Sequence, residues 1–361
     1  MNQFPEGNAL IYCEGAFATT QGKTAHGLVR HTQRYRVVSI IDSRYAGEDA
    51  GVVLDGVRNG IAIYENVSEA VQEAGVAGIP ATHLVIGLAP DGGRMSQEAR
   101  ENVKRAVASG LHIDSGLHDF LSEDKEIAEL AARHGVVIRD VRKPPPRDQL
   151  HFFSGKIEEV TCLKVALLGT DSAVGKRTTA WILVQALHST GYKAEMIGTG
   201  QTAWLQGAKY CIILDSLVND FVAGEIEHVV RSAWKESEPD VLVIEGQGSL
   251  LNPAYPGGFE ILAAARPDVV VLQHAPARKE YDGFPGYLIH PLDRQIQAIE
   301  MISGRPVIAI TVNHEGIAQG EIAAVCQSIT RETNLPACDV LVDGTDEVVK
   351  ILTPYMRKLQ V

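Results

Sequence analysis

One stretch of the chain, residues 169–179, reads Gly-Thr-Asp-Ser-Ala-Val-Gly-Lys-Arg-Thr-Thr. The apolar run 163–168 before it is short enough for a buried strand, and 180–188 after it has apolar residues at helical spacing. A strand, a glycine-bearing turn, a lysine and a helix are what a phosphate-binding loop requires, because loop N–H groups, the helix N-terminus and the lysine all favour an anion. The residues that we expect to bind it are Gly169, Thr170, Asp171, Ser172, Ala173, Val174, Gly175, Lys176, Arg177 and Thr178.

Two features separate this loop from the usual pattern. Five residues instead of four lie between Gly169 and Gly175, and Arg177 stands where a Ser or Thr normally follows the lysine. The hydroxyl comes one place later, at Thr178. Because that hydroxyl normally binds magnesium beside the nucleotide phosphates, its displacement argues against hydrolysis of a nucleoside triphosphate. It does not argue against binding of a phosphate or pyrophosphate.

The length of the chain, 361 residues, predicts two domains of about 150 residues or more. Three consecutive prolines at 144–146 continue neither a helix nor a central strand, so we place the domains at 1–150 and 151–361. The second half alternates helical stretches with apolar runs at 194–198, 210–214, 240–244, 268–272, 306–312 and 339–342. We therefore predict an α/β protein with an N-terminal Rossmann-like domain and a C-terminal P-loop NTPase-like domain, whose doubly wound sheet is mostly parallel.

The first half begins with a βαβ pattern: a strand at 9–13, a helix at 24–34 and a strand at 35–41 that ends on Asp42. An acid at the end of the second strand is typical of dinucleotide-binding folds, but the glycine fingerprint is missing after Gly15, which argues against nicotinamide.

Lys23 and Arg30 fall on one face of the predicted first helix. They could receive the carboxylates of a substrate, and a solvated basic face is the alternative interpretation. Ligand sites often lie at domain interfaces, so we expect the ligand between the two domains.

The composition limits the partners. A net charge of −12 argues against nucleic acid, and no apolar run approaches the roughly 20 residues that span a bilayer. The start of the chain has no secretory pattern. Its five cysteines lack the spacing of a zinc site: Cys13, Cys162, Cys211, Cys326 and Cys338. We expect a cytoplasmic homo-oligomer that acts on a small molecule, without nucleic acid, membrane or resident metal.

Acidic residues follow two strands of the second half. Glu245 ends the apolar run 241–244 and precedes a glycine-rich turn, where an acid near a phosphate loop binds a metal or polarises the reacting group. Asp215 and Asp220 follow another strand, near the opening of a helix. Capping of a turn or helix is the alternative interpretation for all three.

Other strand ends offer a base, a cation and backbone groups. His274 ends one strand and Arg278 lies four residues further on; a structural histidine is the alternative. The segment 198–202 ends a strand that we expect beside the phosphate loop, and it could hold ligand through its backbone. The amide of Asn313 could contact a purine edge.

The loop 169–176 and the sequence Glu-Gly-Gln-Gly at 245–248 resemble dethiobiotin synthetase and the amidotransferase-type ligases of cobalamin synthesis. In those enzymes the loop binds ATP. The resemblance implies that Asp171 and Glu245 would help to hold magnesium.

A second resemblance covers nearly the whole chain. The hinge Arg-Lys-Pro-Pro, the loop with Gly-Lys-Arg-Thr-Thr, and the segments 215–225, 245–248 and 273–278 occur in this order in a bacterial and archaeal family long labelled as of unknown function. Some members are D-glutamate N-acetyltransferases, which use acetyl-CoA and work with an N-acetyl-D-glutamate racemase-type partner enzyme in D-amino-acid catabolism. The resemblance implies an N-acetyltransferase that takes acetyl-CoA as co-substrate and an acidic amino acid, D-glutamate, as acceptor.

Coenzyme A carries a pyrophosphate and a 3′-phosphate, so a phosphate loop poorly suited to ATP hydrolysis can still bind it. An acceptor amine needs a general base; we expect Glu245 in this role, with Asp220 and His274 in support. Lys176 or loop N–H groups would stabilise the oxyanion, and Lys23, Arg30, Asp215 and Arg278 would contact the acceptor. Two alternatives stay open: an ATP-dependent ligase or kinase that uses magnesium, and a non-catalytic nucleotide sensor.

Overall fold

The computed structural model of the chain describes residues 5–359, which form two compact units. The first contains the residues up to 144 together with 201–207. The second contains 145–200 and the residues from 208 onward. A short segment from the second half of the sequence therefore belongs to the first unit.

The first unit is a six-stranded parallel sheet with helices. Its elements are β1 (Gly7–Tyr12), α1 (Lys23–Arg30), β2 (Tyr35–Ile41), α2 (Ala50–Asp55), β3 (Ala62–Tyr64), α3 (Val67–Val76), β4 (His83–Ile86), α4 (Gln97–Ala108), β5 (His112–Ser115), α5 (Lys125–His134) and β6 (Ile138–Asp140). The strand order β3-β2-β1-β4-β5-β6 is that of dinucleotide-binding folds, so the Rossmann-like prediction is confirmed. Ser96 caps α4 by accepting a hydrogen bond from the N–H of Ala99, as its residue type predicts.

The second unit is built on a seven-stranded parallel sheet. Its elements, with α7 of the first unit included in chain order, are β7 (Leu163–Gly169), α6 (Lys176–Ser189), β8 (Ala194–Gly198), α7 (Gln201–Gln206), β9 (Tyr210–Cys211), α8 (Asn219–Ser237), β10 (Val241–Glu245), α9 (Gly258–Ala265), β11 (Val269–His274), α10 (Leu292–Ser303), β12 (Val307–Val312), α11 (Ile322–Thr333), β13 (Ala337–Asp339) and α12 (Asp346–Leu359). The strand order is β13-β12-β11-β7-β10-β8-β9. The strand before the phosphate loop is therefore central and is buried along its whole length.

Several predicted elements have different boundaries; the strand predicted at 210–214, for example, ends at Cys211. The helix predicted at 24–34 ends at Arg30, because His31 is extended and the N–H of Gln33 donates to Gln206 O of α7 at 2.8 Å. The strand predicted at 339–342 ends at Asp339, whose carboxylate accepts a hydrogen bond from the N–H of Leu341 and so begins a turn. Across the residues described, no helix is long and apolar enough to cross a membrane.

Candidate phosphate-binding and catalytic site

The loop 170–175 joins β7 to α6, as the sequence predicts, and two of its residues have left-handed backbone conformations. Gly175 has φ 103°, which glycine adopts readily, and Ala173 has φ 51°, which costs a residue with a Cβ about 1–3 kcal/mol. A Cβ at Gly169 would lie 2.8 Å from Lys176 Cδ and 2.9 Å from Val174 Cγ2. Glycine at 169 therefore lets the lysine side chain lie back over the loop.

Lys176 is buried at the first position of α6. Its ammonium group donates to two backbone carbonyls, Asp171 O at 2.7 Å and Gly248 O at 2.9 Å. The first lies within the loop and the second in the glycine-rich turn after β10. The lysine therefore connects the phosphate loop to that turn and concentrates positive charge where the helix N-terminus also favours an anion.

Asp171 is the most heavily bonded carboxylate near the loop, and it is fully buried. Its Oδ1 accepts from the N–H of Ser172 at 2.7 Å and from Asn252 Nδ2 at 2.9 Å. Its Oδ2 accepts from Arg278 Nη1 at 2.9 Å and from the N–H of Asp282 at 2.8 Å. A carboxylate has about four acceptor positions, so these four donors use its whole capacity. Asp171 therefore fastens the loop to two other segments of the unit.

Glu245 lies at the end of β10, which pairs with β7 in parallel, so its predicted position beside the loop strand is confirmed. The residue is 6% exposed, and its Oε2 accepts from the N–H of Thr199 at 3.0 Å. Burial raises the pKa of the carboxyl group, while the positive charges of Arg177 and Lys176 lower it by less. A carboxyl group whose pKa lies above its usual range is a better proton acceptor for an amine.

His274 ends β11, the other neighbour of β7. Its Nδ1 lies 3.0 Å from Thr170 Oγ1, and burial lowers its pKa to about 4. The imidazole is therefore neutral at physiological pH and contacts the first residue of the loop.

The residue before it, Gln273, supports the loop from the same strand. Its Oε1 accepts from Thr179 Oγ1 at 2.6 Å and from Thr311 Oγ1 at 2.7 Å. Thr179, rather than Thr178, is thus the hydroxyl of α6 that is bonded to the sheet.

Arg278 lies beside the loop, where it contacts two carboxylates and one backbone carbonyl. Nη1 donates to Asp171 Oδ2 and to Ser172 O at 2.8 Å, and Nη2 donates to Glu315 Oε2 at 3.0 Å. Burial lowers the pKa of the guanidinium, but the hydrogen bonds to Asp171 and Glu315 and the charges of these two carboxylates together raise it by more, so the net shift is upward.

The remaining residues predicted to act as a base or to contact the acceptor are exposed. Asp215 lies in a short 3-10 turn, and Asp220 lies in the first turn of α8, where a carboxylate stabilises the helix dipole. Lys23 begins α1 and Arg30 ends it. Arg30 forms a salt bridge of 2.6 Å with Asp55 of α2.

One other prediction, the position of the strand before segment 198–202, is wrong. The strand that precedes segment 198–202, β8, pairs with β10 and β9, so it does not adjoin the loop strand. The side-chain amide of Asn313 is used within the unit: Nδ2 donates to Val174 O at 3.1 Å, and Oδ1 accepts from the N–H of Glu315 at 3.0 Å. The Asn313 amide therefore supports the phosphate loop through its hydrogen bond to the carbonyl of Val174.

Sequence reasoning missed Asn252, Asp282 and the role of Gln273. Asn252 follows the glycine-rich turn, and its Oδ1 also accepts from the N–H groups of Ala254 and Tyr255, both at 2.9 Å. Asp282 contacts the loop through its N–H and through Oδ2, which accepts from Ser172 Oγ at 3.2 Å. The sequence did carry one signal for these two residues. Asn252 is followed by Pro and Asp282 by Gly, and such pairs mark turns in the segments that follow strands.

The fold and the site define a two-unit α/β protein whose second unit has a P-loop. Residues 151–349 match the P-loop domain of DUF1611, described as a domain of unknown function, and residues 43–144 match its Rossmann-like N-terminal domain. The chain belongs to the DUF1611 family, as its motifs predict.

Curated relatives and a solved structure are similar over most of the chain. A D-glutamate N-acetyltransferase from Tritonibacter scottomollicae is 31% identical over 289 residues, which is 78% of this chain and 84% of that protein. A D-glutamate N-acetyltransferase from Pseudoalteromonas sp. is 29% identical over 280 residues, 76% of this chain and 82% of that protein. The crystal structure of a DUF1611 family protein from Anabaena variabilis has a TM-score of 0.89 and 28% identity, and covers 96% of this chain and 99% of its own.

Proposed function

We propose that this protein is an N-acetyltransferase that moves the acetyl group of acetyl-CoA to the amino group of D-glutamate. The observation that carries the proposal is the similarity to two proteins named D-glutamate N-acetyltransferase, over a stretch longer than either unit alone. The phosphate loop supports it, since coenzyme A supplies a pyrophosphate and a 3′-phosphate for such a site.

In this proposal the loop 169–178 holds the phosphates. Lys176 supplies the charge, and loop N–H groups together with the N-terminus of α6 supply hydrogen-bond donors. Binding through these groups requires no metal ligand from Asp171, whose oxygens already accept four hydrogen bonds.

Glu245 removes a proton from the ammonium group of D-glutamate, and its upward pKa shift favours that transfer. The amine then attacks the thioester carbonyl, and the carbon–sulfur bond breaks as the tetrahedral intermediate collapses. As the coenzyme leaves as a thiolate, the attacking nitrogen loses its second proton and the thiolate takes up one proton, so the products are N-acetyl-D-glutamate and coenzyme A, and the proton on Glu245 is released to solvent. Lys176 or loop N–H groups stabilise the oxyanion.

Lys23, Arg30, Asp215, Asp220 and Arg278 are proposed to assist the acceptor or the base. Lys23 and Arg30 are exposed cations of the kind that bind carboxylates, although Arg30 would first have to leave Asp55. Arg278 would act through Asp171 and the loop. The protein is proposed to act as a homo-oligomer together with an N-acetyl-D-glutamate racemase-type enzyme.

An ATP-dependent ligase or kinase is the second candidate, because Glu245 beside a P-loop is also the arrangement that holds magnesium with nucleotide. Arg177 after the lysine and the four donors on Asp171 favour the acetyltransferase.

A thermal-shift panel of acetyl-CoA, coenzyme A, ATP with magnesium, GTP and NAD tests the proposal. A ligand at 100 times its Kd stabilises by about 2.7 kcal/mol, which raises Tm by about 5–10 °C. We expect this shift with acetyl-CoA and coenzyme A, and its loss in Lys176→Ala. A shift with ATP and magnesium but none with acetyl-CoA would contradict the proposal and favour the ligase.

A further inference from the structure

Three aromatic side chains of the second unit form a partly exposed cluster, here called the aromatic rim: Tyr255, Phe284 and Tyr287. Tyr255 is 52% exposed and Tyr287 is 59% exposed. The ring of Phe284 lies edge-on to both, at 6.1 Å from Tyr255 and 6.4 Å from Tyr287. Clustered exposed apolar groups often mark a binding site, whereas single ones need no explanation.

The rim is held in place by its own backbone. The N–H of Phe284 donates to Tyr281 O at 2.9 Å, the N–H of Tyr287 to Phe284 O at 3.1 Å, and the N–H of Tyr281 to Tyr287 O at 2.9 Å. Tyr281 is buried, and its hydroxyl lies 2.9 Å from His290 Nδ1. A closed, anchored loop therefore holds the rings of Phe284 and Tyr287 at the surface, which is the preorganisation that a ligand site requires.

Asp171 connects the rim to the phosphate loop. Its Oδ2 accepts from the N–H of Asp282, which lies two residues before Phe284. The backbone between Asp282 and Phe284 spans at most about 7 Å. Its Oδ1 accepts from Asn252, whose own Oδ1 accepts from the N–H of Tyr255. One buried carboxylate thus fixes both segments of the rim relative to the loop.

The rim also adjoins the turn that follows Glu245. Tyr255 O accepts from the N–H of Ser249 at 3.1 Å, and a Cβ at Gly248 would lie 1.7 Å from that oxygen. Gly248 O is also the carbonyl that accepts a hydrogen bond from Lys176 Nζ. A ligand that extends from the phosphate loop toward the turn of Glu245 would therefore pass Tyr255.

We propose that the aromatic rim binds the acyl-pantetheine arm of the coenzyme, an inference that rests on the proposed function. The arm joins the pyrophosphate to the thioester, so with its phosphates at the loop it must carry the acetyl group toward Glu245. It is uncharged and bears a geminal dimethyl group, which packs well on aromatic rings. The rings carry no positive charge, so they do not suit the carboxylates of D-glutamate.

The test compares coenzyme A with 3′-phospho-ADP, which has the same phosphates and base but no arm. Isothermal titration calorimetry measures the Kd of both ligands for the wild-type chain and for its Tyr255→Ala, Tyr287→Ala and Tyr255→Phe variants. The last of these keeps the ring. Phe152→Ala removes an exposed ring elsewhere in the unit and is the matched control. We expect the alanine variants at the rim to bind coenzyme A about tenfold more weakly and 3′-phospho-ADP as the wild type does. Tyr255→Phe and Phe152→Ala should bind both ligands normally.

Equal weakening of both ligands, or none with either, would overturn the inference while leaving the proposed function intact. A change in oligomeric mass without a change in affinity would instead assign the rim to a contact between copies, and it too would overturn the inference. If the wild type binds no coenzyme A at all, the proposed function fails and the inference fails with it.

Discussion

Replacement of Asp171 by asparagine should destabilise the second unit strongly. In either orientation of the new amide, its NH2 group faces two of the four donors that the carboxylate accepts: Arg278 and the N–H of Asp282, or Asn252 and the N–H of Ser172. Each buried donor left without an acceptor costs about 1–3 kcal/mol, and removal of one partner of a buried ion pair costs about 3–5 kcal/mol. We expect the free energy of unfolding to fall by about 3–5 kcal/mol.

Calorimetry of the second unit's transition in the full chain measures this loss. For a domain of about 200 residues it corresponds to a fall in Tm of about 10 °C. The double variant Asp171→Asn/Arg278→Gln removes both charges, and the exposed Glu315 can then be solvated, so it should recover at least about 1 kcal/mol of the loss. A Tm within about 2 °C of the wild type in Asp171→Asn, or strictly additive losses in the double variant, would refute the reasoning.

Three further outcomes follow from the site. Glu245→Gln keeps the size of the side chain but cannot accept a proton, so steady-state kinetics should show a kcat about 10²–10⁴-fold lower while acetyl-CoA still binds. Full turnover in this variant, with none in His274→Ala, would assign the role of base to the histidine instead. Lys176→Ala should raise the KM for acetyl-CoA at least about tenfold in a protein that still folds, and its Tm should fall because Asp171 O and Gly248 O lose their donor; an unchanged KM would contradict the proposed phosphate contact. The pKa of His274 is lowered from 6.5 to about 4, so between these pH values the imidazole is protonated in the unfolded chain but not in the folded protein, and the free energy of unfolding falls as the pH drops. Urea titrations should show that the wild type loses on the order of 3 kcal/mol more than His274→Gln between pH 6.5 and pH 4. Equal losses in the two proteins would exclude a buried neutral imidazole.

The sequence was sufficient for the features that depend on local pattern. The phosphate loop lies between β7 and α6 because an apolar run, two glycines and a lysine occur at fixed spacing. Glu245 was predicted beside the loop because an apolar run with an acid at its end forms an inner parallel strand, and the order of the sheet agrees.

The contacts between distant segments could not be predicted. Asn252, Gln273 and Asp282 support the loop and the start of α6 through one or two hydrogen bonds each, and no local periodicity encodes such bonds. The same limit explains the end of α1: His31 leaves the helical conformation where the chain meets α7, which lies more than 160 residues further along.

The most direct measurement of the proposed function follows an isotopic label into the product. Purified protein is incubated with acetyl-CoA labelled with ¹³C in the acetyl group and with D-glutamate, L-glutamate or D-aspartate, and the amino acids are analysed by mass spectrometry. We expect labelled N-acetyl-D-glutamate, formed in step with free coenzyme A, in the wild type, and at least about a hundredfold less in Glu245→Gln. Label that stays on the coenzyme with every acceptor, or product that forms only when ATP is added, would contradict acetyl transfer by this site.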